Sequence, residues 1–153
     1  MALRIIEKDL LTVEEGIICH QVNCMGVMGA GVALQIRNKF PLAYQEYLES
    51  IHDYKSVGDI CLGSCNLVQV TPELLVANLF GQYSLGVGKQ TSYAALCSAM
   101  SHLVVYLGGS KKAEKANVYF PYLIGCGLGG AKWEVVSELI EEQFPNAIIC
   151  KLP

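Results

Sequence analysis

A chain of 153 residues, 52% apolar and only 16% charged, with a formal charge of -3, has the composition of one folded domain spanning 1–153. Intrinsic disorder, which needs low hydrophobicity and high net charge, is excluded, and so is general capture of nucleic acid by a lysine and arginine excess. A domain of this size buries about 68 to 70% of its unfolded surface, so its core needs no disulfide or metal staple.

Short β-branched runs alternate with helical patterns, which predicts an α/β layer architecture. Leu3 to Ile6 and Ile17 to Val22 read as strands, the second nearly continuous in apolar residues and therefore central. After a glycine-bearing loop, Val32, Ile36 and Phe40 form one helical stripe that stops at Pro41, and Ala43, Tyr44, Tyr47, Leu48 and Ile51 mark a second helix. Between Asp59 and Phe80, the runs at 60–62, 66–70 and 74–80 read as meander strands broken by Gly63-Ser64 and Thr71-Pro72-Glu73, so the sheet is expected to be mixed. Leu96, Met100, Leu103, Val104 and Leu107 predict a helix ended by Gly108-Gly109. Lys111, Lys112, Glu114 and Lys115 read as a solvated charged connector. Val118 to Ile124 reads as a strand disturbed at Pro121, Trp133, Val136, Ile140 and Phe144 as the last helix, and Ala147 to Cys150 as the last strand. The expected whole is a three-layer α/β/α domain.

Cys19, Cys24, Cys61, Cys65, Cys97, Cys126 and Cys150 make an odd set without a C-x-x-C pair, which fits neither a disulfide framework nor a zinc ribbon. Reduced, buried thiols of a cytoplasmic protein are the expectation. Neither a signal-peptide pattern nor an apolar run approaching a membrane span is present, so no membrane partner is expected.

The glycines carry the functional information. Gly26, Gly29 and Gly31 join one buried strand to a helix, and Gly125, Gly127, Gly129 and Gly130 join another. At such junctions the unpaired N–H groups of a helix start carry partial positive charge, and glycine lets a ligand approach the backbone closely. Two such loops suit two phosphates without any arginine. Gly125, Gly127 and Gly130 formally satisfy G-x-G-x-x-G, but a dinucleotide fold needs that motif early, with an acidic residue about 20 positions later. Neither loop has the G-K-[ST] of a P-loop.

The segment HQVNCMGVMGAGVALQIRNKFP at 20–41, with IGCGLGGAKW at 124–133 and VANLFGQ at 76–82, resembles the macrodomain family over nearly the whole chain. The resemblance is to a branch holding ADP-ribose 1''-phosphate phosphatases, small ADP-ribosyl-hydrolases and antitoxins that remove ADP-ribose from DNA. It implies a mixed sheet of about six strands and an ADP-ribose site. Asp9, beside Leu10, matches the acidic position that accepts from the adenine amino group; a solvated turn carboxylate is the alternative. Asn23 matches the asparagine that hydrogen-bonds the distal ribose, with loop capping as its alternative. Gly29, Ala30, Gly31 and Val32 match the loop around that ribose and the diphosphate. Gly125, Cys126, Gly127, Leu128 and Gly129 match the second phosphate loop.

Some hydrolases of this kind use a lysine early in the loop after a VANLF-like strand and an aspartate directly after G-C-G-L. Here Gly129 occupies the second place, residues 78–82 supply no lysine, and Lys89 reads as a surface residue. His20, Asn23 and Gln82 remain near the expected distal ribose. An unperturbed histidine, with a pKa of about 6.5, suits a base, an acid or a nucleophile, while a buried, hydrogen-bonded His20 is the competing reading. His52 and His102 are given no role. No cluster has metal-ligand spacing, so neither a metal nor a cofactor is expected. The expected activity is hydrolysis of a substituent at C1'' of the distal ribose, foremost the phosphate of ADP-ribose 1''-phosphate. The alternatives are release of ADP-ribose from an ADP-ribosylated protein or nucleic acid, and a non-catalytic nucleotide-binding module. Tyr83, Phe80 and Tyr122 are candidates to stack on adenine, and 81–88 reads as a lid or a long turn.

Overall fold

The computed structural model describes residues 3–86 and 88–153. Val87, in the candidate lid, lies outside the described residues. Six strands, β1 (Arg4–Glu7), β2 (Gly16–Val22), β3 (Cys65–Thr71), β4 (Leu74–Phe80), β5 (Val118–Pro121) and β6 (Ile148–Lys151), form one sheet in the order β1-β6-β5-β2-β4-β3. All neighbours run parallel except β3, which pairs antiparallel with β4. This is the expected mixed six-stranded sheet, with β2 inside it, as its apolar run implies.

Alternation along β2 sends its side chains to two cores. Ile18 meets Ile36 of α1 (Gly31–Lys39), Ala43 of α2 (Pro41–Ser56) and Val76 of β4 on one face. Ile17 and Cys19 meet Leu96 and Met100 of α3 (Tyr93–Tyr106) and Val136 and Ile140 of α5 (Trp133–Gln143) on the other. Pro41 begins α2 rather than merely ending α1, because its fixed φ and missing N–H are harmless in a first helical turn.

Three local expectations change. Residues 60–62 form no strand: Ser64 donates to the Cys61 carbonyl in a turn, Gly63 has φ +85°, and Ile60 stays exposed while Cys61 is buried. The charged connector folds as α4 (Ser110–Lys115), anchored by the single buried residue Ala113. The strand beginning at Val118 ends at Pro121, after which Leu123 takes φ +62° and the chain turns. No described helix is long and apolar enough to cross a membrane.

Candidate functional site

β2 is followed by α1 on one face of the sheet, and its parallel neighbour β5 is followed by α5 on the other. Where connections diverge to opposite faces, a crevice opens beyond the carboxyl ends of the strands, and ligands of open α/β sheets bind there. A cavity of about 750 Å³ occupies that place, within the range of small-molecule sites. Its walls include His20, Asn23, the start of α1, Gln82 and the turn 121–129. Among the described residues, none lining it carries an acidic or basic side chain other than the imidazole of His20.

Backbone amides take the place of charge. The residue before α1, Ala30, offers no side-chain cap, and the N–H groups of Gly29, Ala30, Gly31 and Val32 have no acceptor among the described residues. In the second loop Cys126, Gly130 and Ala131 donate to Leu123, Gly127 and Gly125, leaving the N–H groups of Gly127, Leu128 and Gly129 without acceptors among the described residues. Both sets belong to residues that line the cavity. Unpaired amides at a helix start, backed by its dipole, favour an anion.

Each loop is held from beneath. Asn23 is buried; its Oδ1 accepts from Met25 N at 2.9 Å and from the Tyr47 hydroxyl at 2.8 Å, and its Nδ2 donates to the Val27 carbonyl at 2.8 Å. It is thus a loop cap that also lines the cavity, with one Nδ2 hydrogen uncommitted among the described residues. The Tyr47 hydroxyl also accepts from Gly26 N at 3.1 Å, and the Tyr44 hydroxyl donates to Gly26 O at 3.0 Å. Burial pushes the Tyr47 phenol above its ordinary range, so it stays protonated. Tyr47→Phe should therefore cost about 1 to 3 kcal/mol, the penalty for stranding buried partners, readable as a lower urea midpoint.

Under the second loop, Gln21 donates to Gln82 Oε1 and to Thr91 Oγ1, each at 2.8 Å, and Thr91 Oγ1 donates to Gly125 O at 2.9 Å. The N–H groups of Gln90 and Thr91 both reach Gly129 O. A bridge between Gln82 and Thr91 closes the neck of the 81–91 segment, so Gln82 acts as a strut of the site as well as part of its wall. Gly129 could not carry a side chain here, since a Cβ would lie 2.4 Å from Thr91 Oγ1. That packing requires glycine directly after Leu128.

His20 lies on β2, 1% exposed, with Nε2 2.5 Å from Oδ1 of Asn78 on β4. Burial lowers its pKa to about 4 against the raising effect of Asn78, so the imidazole is neutral at neutral pH. Its Nδ1 has no partner among the described residues, and the same is true of Gln21 Oε1.

The remaining expectations divide. Gly29, Ala30, Gly31, Val32, Gln82, Gly125, Cys126, Gly127, Leu128 and Gly129 line the cavity with His20 and Asn23. Asp9 and Leu10 do not: the Asp9 carboxylate accepts from Leu11 N at 2.9 Å, capping the 3-10 turn Leu10–Thr12, and Leu10 is core. Of the aromatic candidates, Tyr122 lines the cavity, Phe80 is fully buried and Tyr83 lies outside the lining. Lys89 is exposed with Nζ 3.8 Å from the Tyr93 ring. Gln21, Tyr47 and Thr91 support the site although residue type alone does not single them out. Gln21 could have been found by alternation, because it interrupts the apolar run of β2 on the face opposite His20.

The Macro domain family matches residues 19–140, and the chain belongs to that family. It is 25% identical over 139 residues to DNA ADP-ribosyl glycohydrolases of Mycobacterium bovis and Mycobacterium tuberculosis, a match covering 89% of this chain and 37% of each relative. Among solved structures, it resembles a Bacteroides thetaiotaomicron protein of unknown function at TM-score 0.81 and 28% identity, covering 99% of both chains. It also shares its fold with Thermosipho africanus DarTG in complex with ADP-ribose, at TM-score 0.72 and 20% identity, covering 99% of this chain and 42% of that one.

Proposed function

We propose that this macrodomain binds ADP-ribose and hydrolyses the bond between C1'' of its distal ribose and a substituent. The observation that carries the reading is the pair of amide-lined loops facing one cavity in which, among the described residues, the His20 imidazole is the sole acidic or basic side chain. A diphosphate satisfies both loops at once and fixes the attached ribose, so binding energy remote from the scissile bond orients it. In the reaction, water oxygen bonds to C1'' while the substituent leaves with the electron pair of the broken bond; the water proton ends on the released substituent or in solvent. With no carboxylic acid or lysine lining the cavity, the substituent best suited is one that departs as a stabilised anion.

Two substrates are weighed against that demand. A nucleobase-linked ADP-ribose is favoured by the similarity to DNA ADP-ribosyl glycohydrolases. The phosphate of ADP-ribose 1''-phosphate is the second reading, favoured by the lack of a carboxylic acid or lysine, among the described lining residues, to protonate a poorer leaving group. Three substrates offered separately, ADP-ribosylated DNA, ADP-ribose 1''-phosphate and an ADP-ribosylated peptide, distinguish them by the free ADP-ribose released. We expect turnover of the DNA adduct or the 1''-phosphate, and little of the peptide when its linkage is to arginine, whose guanidine does not depart as a stabilised anion. Binding of ADP-ribose without turnover of any of the three would leave a binding module instead, and no binding at millimolar ADP-ribose would overturn the reading.

A further inference from the structure

We propose that Asn78 fixes His20 as the Nε2–H tautomer, so that Nδ1 accepts a hydrogen bond from a sugar hydroxyl and selects hydroxyl-bearing ligands at this end of the cavity. The proposal deepens the ADP-ribose reading and rests on it. Its starting point is the amide of Asn78, whose orientation is determined by its neighbours. The Ala43 carbonyl can only accept, and it lies 3.1 Å from Asn78 Nδ2, which also donates to Asn66 Oδ1 at 3.0 Å. Both hydrogens of the amide are thereby used, and the oxygen is turned to His20. An amide oxygen only accepts, so at 2.5 Å the hydrogen of that contact must come from His20 Nε2.

A neutral imidazole with its hydrogen on Nε2 presents a lone pair at Nδ1. That atom is buried and unpaired among the described residues, and its residue lines the cavity. Buried acceptors are nearly always paired, so the ligand's contribution at this place is a donor. A diphosphate or a carboxylate offers none at neutral pH, whereas a ribose hydroxyl does. Asn66, Asn78 and His20 lie on β3, β4 and β2, with Asn66 opposite Asn78 and Asn78 opposite His20, so the sheet register itself sets the row. Asn78 is fully buried outside the cavity lining and acts through His20, as a positioning residue.

The test is nitrogen NMR of protein labelled at histidine and backbone amides, at pH 7, titrated separately with ADP-ribose and with ADP, which lacks the terminal ribose. We expect His20 to carry its hydrogen on Nε2 alone in the free protein. ADP-ribose should move the Nδ1 resonance and the amides of Gly127 and Gly129, whereas ADP should move only the loop amides. In folded protein, Asn78→Leu should mix the tautomers and weaken ADP-ribose binding about tenfold, the loss of roughly one hydrogen bond. Hydrogen on Nδ1, an Nδ1 resonance unmoved by saturating ADP-ribose while the loop amides shift, or an equal response to ADP would each overturn the role of His20. Parental tautomer and affinity in folded Asn78→Leu would overturn the role of Asn78. If no loop amide responds to either nucleotide, the ADP-ribose reading itself fails, and this proposal with it.

Discussion

Gly127→Val is expected to weaken ADP-ribose binding by at least about 100-fold, or about 2.7 kcal/mol, with the melting temperature within about 2 °C of the parent. The two halves of this result have separate causes. Gly127 lines the cavity, its φ lies outside the left-handed region, and among the described residues no atom beyond its chain neighbours lies within 4 Å of where a Cβ would sit. The valine Cβ there meets no described atom beyond the chain neighbours, and the backbone lies outside the left-handed region that only glycine favours, so folding is spared. The same side chain projects into space the ligand must enter and screens one of the unpaired N–H groups of the loop. Calorimetry with ADP-ribose alongside a thermal melt reads both halves. Parental affinity in the valine variant would show that no phosphate rests on this loop.

Phe80→Ala should cost about 3 to 5 kcal/mol, a large share of the stability of a domain this size. Phe80 is fully buried at the end of β4, with its ring 5.5 Å from that of Tyr47 and 16° from parallel. Removing it leaves a void beneath the tyrosine whose hydroxyl holds Asn23 and the Gly26 peptide. We expect the melting temperature to fall by roughly 6 to 20 °C and ADP-ribose affinity to fall as well, because a loosened Tyr47 no longer fixes the first loop. An unchanged urea midpoint would contradict the packing described for this ring.

How far the sequence discloses these features depends on the range of the interaction that makes them. β2 was legible because burial on both faces leaves a nearly unbroken apolar run, and the loops were legible because glycine is needed for backbone reasons written into single positions. Gly129 shows the limit: its glycine is visible in sequence, but its cause, contact with Thr91 38 positions away in the chain, is a tertiary fact. Tyr47 looked like one more apolar position on a helical stripe, since nothing local says that its hydroxyl reaches back 24 residues to Asn23. The run at 60–62 had strand composition but no neighbouring ladder to join, and α4 had a charged composition that hid its one buried alanine. Asp9 is matched to the acidic adenine position by resemblance, and its sequence context does not disclose that Oδ1 also accepts from the nearby Leu11 N–H.

The lack of charged lysine, arginine and carboxylate groups around the cavity has a consequence for how readily the site is made ready. Long cationic side chains grip phosphate only after surrendering up to about 2 kcal/mol of rotamer freedom each, an ordering step repeated at every encounter. The amides of the two loops carry no side-chain rotamers to order, because they belong to the backbone that folding arranges. Their recognition of an anion is thus settled when the chain folds, and the arriving nucleotide meets a surface that has little left to arrange.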